Sequence, residues 1–157
     1  AHPESNADLL SGINEGWADY CAYVVTGTPT ALGLSHEFFV KWRTIPVAWT
    51  SSQHRAGTSY WPGDFYCMGS VFASALYDAS KLEGQTSLSV LHWVWDALPN
   101  FKTDWLAHHG DSDFDYYYLL QRILDSAGST NKSKLCPIFK KWFDDTTNLN
   151  KLNTACG

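Results

Sequence analysis

Between residues 7 and 25 the apolar side chains fall at Leu9, Leu10, Ile13, Trp17, Tyr20, Cys21 and Val24. Steps of three and four place them in one stripe along a helix, which Gly27 and Pro29 bring to an end. No part of the chain shows the period-two alternation of a half-buried strand. The rest follows the same helical rule. A short helix is predicted over 35–42, and a largely apolar one from Asp64, closed by Gly84, with Gly69, Ala73 and Ala75 small enough for close packing. A fourth is capped by Thr86 or Ser87 and stopped by Pro99. Two more cover 113–127 and 133–145. The expectation is an all-α fold, a single compact bundle of about six helices over residues 1–157.

Length and composition agree with one folded unit. A chain of 157 residues buries roughly 70% of the surface it exposes when unfolded. With 45% hydrophobic and 17% charged residues, it can pay for its chain entropy with a core. Eight each of Trp, Tyr and Phe are mostly core material, though eight indoles are hard to hide fully in so small a domain. The net charge of −5 and the lack of a basic run beyond Lys140-Lys141 argue against nucleic acid. No apolar stretch reaches the roughly 20 residues of a membrane span. The chain opens without a signal peptide, as a mature secreted protein would. Four cysteines without CxxC spacing, Cys21, Cys67, Cys136 and Cys156, point to disulfides and an oxidising compartment, with three pairings open. The sequon at Asn131 points the same way.

Chemistry enters with "INEGWADY", residues 13–20. Glu15 and Asp19 lie one turn apart on the same helical face, with no cation at helical spacing. Asn14-Glu15-x-x-x-Asp19 resembles the third-ligand motif of thermolysin-like and fungalysin-like zinc peptidases, the gluzincins. "DFYCMGSVFASALYD" resembles that family's later helix. "DSDFDYYYLLQRILDSAGS" with "IFKKWFDDTTNL" is similar to its last two helices. The resemblance covers nearly the whole chain as the C-terminal helical domain of such an enzyme. It implies that Glu15 is a zinc ligand and Asp19 the carboxylate that orients a ligand histidine. Tyr66 stands where the family has the histidine that stabilises the tetrahedral intermediate, and a phenol can donate to an oxyanion. The resemblance also implies a Cys21–Cys67 bridge, since the parent fold brings those helices to one site; Cys136–Cys156 is the remaining pair.

HExxH itself is absent. His2 is too close to Glu15, and "SHEFFV" has Val40 where the second histidine belongs. One carboxylate does not hold zinc against water, so zinc is expected only if an HExxH-bearing segment is supplied. Either the chain is a piece of a longer peptidase, inactive alone and partnered by the upstream segment of its precursor, or it is a descendant that changed its work. In the second case a secreted binding or defence protein reuses the old cleft for a peptide or carbohydrate. Asn14, Trp17, Trp49, Tyr60 and Trp61 are its candidate cleft residues, with Trp42 nearby. Two further constellations carry less. The run His108 to Asp115 offers oxygen ligands for a divalent metal but lacks the later Gly and Glu of a calcium loop, and it reads equally as helix punctuation. Glu15, Asp19, Asp64 and Asp78 could form a glycosidase carboxylate pair only if the fold brought two together.

Overall fold

The run Phe65–Ala79 is apolar or small at nearly every position, and a helix of that composition has to be covered on all sides. The computed structural model, which describes residues 6–29, 44–57 and 65–157, does this with helices alone; no strand occurs among the described residues. The order is α1 Asn6–Thr26, α2 Ser51–Arg55, α3 Phe65–Ala79, α4 Ser87–His108, α5 Tyr117–Trp142 and α6 Thr146–Cys156. These six helices form a compact bundle around α3, as the sequence leads one to expect. The helix expected over 35–42 lies outside the described residues.

One face of α3 receives α1 at backbone contact. Gly12 and Gly16, one turn apart, meet Gly69. A methyl group on Gly16 would run into the Gly69 carbonyl, and one on Gly69 would lie 2.6 Å from the Gly12 oxygen. Further along, the rings of Tyr23 and Tyr77 meet edge-on at 5.0 Å. Gly12 to Phe65, Gly16 to Gly69 and Tyr23 to Tyr77 are successive levels, so the two helices run parallel. The long connection between them is the crossover that parallel neighbours require.

The opposite face of α3 is covered by residues 45–49. The Val47 amide donates to Ser74 Oγ at 3.0 Å, and the Trp49 indole donates to the Cys67 carbonyl at 3.3 Å. Ile45, Val47 and Trp49 are all buried. Tyr116, fully buried, enters from the third side, its ring 6.1 Å from Phe72 and 5.2 Å from Phe143.

A polar clasp ties α2 to the α5–α6 corner. Arg55 bridges Asp115 and Asp145, while Asp145 also accepts from Ser51 Oγ at 2.6 Å and caps α6 through the Asn148 amide. Next to it, Asp144 accepts from the Ser52 amide at 2.9 Å and from Thr50 Oγ1 at 3.0 Å. Burial pushes the Asp144 carboxyl up, but the Ser52 amide and the Ser52 and Thr50 hydroxyls pull it below its ordinary value. Its folded-state value is thus depressed. Its contribution to stability is present above the unfolded-state value and is lost as pH falls through the folded one.

Helix boundaries depart from expectation in three places. Pro99 does not stop α4, which continues to His108. Pro99 and Trp95, one turn back, are both exposed, so water can serve the carbonyl that proline leaves without a donor. The residues after it, Thr103 to His108, are the end of the same helix, with His109 as its C-cap. α5 starts at Tyr117, not at residue 113; Asp113, a residue that could have capped an earlier start, is engaged with Lys151. The Tyr117 amide instead finds Asn148 Oδ1 at 2.8 Å. The expected loop before residue 133 shrinks to a single kink at Gly128, whose φ of 78° suits glycine.

Gly16→Ala should cost about 1–3 kcal/mol in urea unfolding, the usual penalty for forcing an atom into a packed contact. Gly110→Ala, whose new methyl meets nothing within 4 Å, should stay within about 0.5 kcal/mol of the parent. Equal midpoints for both variants would mean that α1 and α3 do not touch as described.

Candidate functional site

At about 100° per residue, α1 divides into two flanks about its glycine seam. Asp8, Glu15 and Asp19 fall on one side, and Leu9, Ile13 and Tyr20 on the other. Asp19 is only 6% exposed and Glu15 is half-buried. On α3, Tyr66 lies one turn before Gly69. With the helices parallel, the same rotation puts it on the Glu15 and Asp19 flank. Its ring is half-buried and stacks on Phe65 at 4.3 Å, and its carbonyl accepts from Ser70 Oγ at 3.0 Å. Helical rotation therefore puts Glu15, Asp19 and Tyr66 on one side of the seam, Asp19 roughly 10 Å further along the axis than Tyr66.

The remaining cleft candidates do not join them. Asn14 and Trp17 project to the other flank, where they line a pocket of about 340 Å³ with Leu10, Ile13, Phe72, Val94, Leu98, Phe101 and Leu119. Trp49 is no cleft ring. It is buried on the side of α3 turned away from α1, anchored to Cys67 through its indole nitrogen. Tyr60 and Trp61, like Trp42, Asp64 and the His36-Glu37 pair, lie outside the described residues. A row of exposed rings along a sugar groove is thus not assembled from the described candidates.

The cysteines split. Cys136 and Cys156 form a disulfide, Cα to Cα 6.0 Å, that staples α6 to the second half of α5. The expected Cys21–Cys67 bridge is not formed; both are thiols. Helical rotation gives the reason. Cys21 stands about 140° round α1 from Gly16, and Cys67 about 160° round α3 from Gly69. Each thiol faces away from the seam that joins their helices. Burial pushes the Cys21 thiol up from its ordinary value, which makes it a poor nucleophile at neutral pH. Asn131 sits within α5, its Nδ2 donating to the Ala127 carbonyl at 3.0 Å and its Oδ1 accepting from Gln85 at 3.0 Å. A glycan on Nδ2 would compete with the first of these bonds.

The other acidic constellations disperse. In the 108–115 run, Asp111 pairs with His108, Asp113 with Lys151 and Asp115 with Arg55, so the three carboxylates face three different partners. The Lys151 hydrogen bond holds Asp113 below the usual carboxylate range. Asp78 is bound to Lys141 and to the Trp142 indole, both at 2.8 Å. It lies nine residues past Gly69, roughly 13 Å along α3 and on the face turned from α1, so it forms no carboxylate pair with Glu15 or Asp19. Among the described residues no three His, Cys, Asp or Glu side chains gather where a metal ion could be held. No described helix is long and apolar enough to cross a membrane.

Sequence reasoning overlooked the Gly12-x-x-x-Gly16 spacing, which is legible as a close-packing face, and the buried His54 of α2. The first could have been found; nothing local marks the second. No family model, curated protein or solved structure matches the chain.

Unfolded in denaturant without reductant, the protein should take up two equivalents of iodoacetamide by mass, at Cys21 and Cys67. Uptake of none would restore the second bridge. Reducing Cys136–Cys156, which closes a loop of 20 residues, should lower stability by about 3 kcal/mol.

Proposed function

We propose that this chain is the helical half of a secreted gluzincin-type zinc peptidase site, contributing one ligand and its supporting groups, with an HExxH-bearing segment as its partner. The observation that carries the reading is the common flank. The carboxylate matched to the ligand, the carboxylate matched to its orienting neighbour and the residue in the intermediate-stabilising position come from two helices. Backbone contact sets those helices in register on one side of a seam. A generic acidic edge has no reason to share that side with Tyr66.

Within this reading each residue has a limited task. Glu15 supplies one anionic oxygen ligand from a helix that its glycines hold rigidly against α3. Asp19, mostly buried on the same flank, accepts the ring N–H of a ligand histidine and so fixes its tautomer. Tyr66 donates its hydroxyl to an oxyanion. Zinc, when bound, polarises the peptide carbonyl and acidifies its own water. The general base comes from HExxH, so the chain alone has no peptidase activity. The Cys136–Cys156 disulfide is compatible with an oxidising, extracellular setting.

The test is the protein isolated from its source under protease inhibition, with intact mass, zinc content and peptide hydrolysis measured together. The reading expects a mass well above 17.6 kDa, one zinc, and hydrolysis abolished by Glu15→Ala. Asp19→Asn should cost roughly 10–100-fold, as loss of a carboxylate behind a ligand histidine usually does. A zinc-free product of 17.6 kDa without hydrolytic activity would overturn it.

A further inference from the structure

The flank of α1 opposite the carboxylates carries a second feature that the zinc reading leaves unused. There, between α1 and α4, lies the pocket of about 340 Å³ lined by Trp17, Phe72, Val94, Leu98 and Phe101, with Asn14 at its exposed edge. Three of these side chains are aromatic. Asn14 is the one polar residue, and no charged side chain among the described residues lines the space. We propose that this pocket is a binding site for a small, uncharged, bicyclic aromatic molecule bearing a single hydrogen-bonding group.

Volume, lining and polarity each restrict the ligand. Apolar cavities of about 150 Å³ hold one benzene, so a space of this size suits two fused rings. It also falls within the roughly 300–1,000 Å³ of ordinary small-molecule sites. A flat ring can lie against Trp17 in offset or edge-on contact, above Phe72 and Phe101, which are 0% and 5% exposed beneath it. A charged ligand would lose its hydration with no counter-charge in return. The Asn14 amide can donate or accept, which fits a phenol or an indole N–H at the mouth. Its floor is Phe72 of α3 and Leu119 of α5, both fully buried in the core. The site shares no residue with Glu15, Asp19 or Tyr66 and stands whether or not zinc is ever bound.

The experiment is calorimetric titration of the intact chain with 2-naphthol, and with 2-naphthoate as the charged analogue. Saturable one-site binding of 2-naphthol is expected, with 2-naphthoate at least about tenfold weaker. Leu98→Trp, which fills the gap, should weaken 2-naphthol at least about tenfold while the helical circular dichroism is unchanged. Asn14→Leu, at an exposed position, should bring 2-naphthol down to the affinity of naphthalene. Non-saturable uptake, or equal binding of the charged analogue, would overturn the proposal. Should Leu98→Trp fail to fold, Asn14→Leu decides, and an unchanged 2-naphthol affinity there defeats the assignment.

Discussion

The contact of Gly12 and Gly16 with Gly69 governs the rest of the structure. Two helices that meet through side chains stand 8–10 Å apart; removing the side chains at the meeting point lets the backbones touch. That closeness fixes both rotation and register. Rotation decides which α1 residues go to which flank. Rotation also puts Tyr66 on the border that carries Glu15. The same contact turns Cys21 and Cys67 away from each other and leaves the opposite flank to Ile13 and Trp17. One packing detail therefore sets the candidate site, the absent bridge and the apolar pocket together.

The second organising interaction is the clasp around Arg55. A five-residue helix such as α2 has little stability of its own. Here it is held by two charge pairs and by hydrogen bonds that run into the α5–α6 corner. Its N-terminal approach covers the rear of α3, where Val47 and Trp49 are bonded. The Cys136–Cys156 bridge secures the other side of that corner. Support thus passes from the clasp to α3 and from α3 to α1, although Arg55 itself lies far from Glu15 in sequence.

Much of this was legible in the chain. The stripe from Leu9 to Val24 announced α1, Gly27 ended it with a positive φ of 69°, and Thr86 capped α4 through the Ser89 amide. The Glu15 and Asp19 pair was visible because i and i+4 share a face in any helix. What escaped depended on three dimensions. Pro99 reads as a stop until it and Trp95 prove to lie on the exposed side of the helix. Trp49 reads as an exposed loop ring until Cys67 offers it a carbonyl. The cysteine pairing required knowing how two helices are rotated, which spacing alone does not contain. The His108 to Asp115 run reads as one cluster, yet its acids reach for Lys151 on α6 and Arg55 on α2, distant in sequence.

The claim on which this account rests is that α1 and α3 meet backbone to backbone at Gly16 and Gly69. The measurement closest to it is a carbon-edited nuclear Overhauser spectrum with the glycine α-protons assigned. The account predicts a strong cross-peak between the α-protons of Gly16 and Gly69, with a companion between Gly12 and Gly69. Absence of both, with other cross-peaks placing side chains between the helices, would contradict it and separate Glu15 and Asp19 from Tyr66.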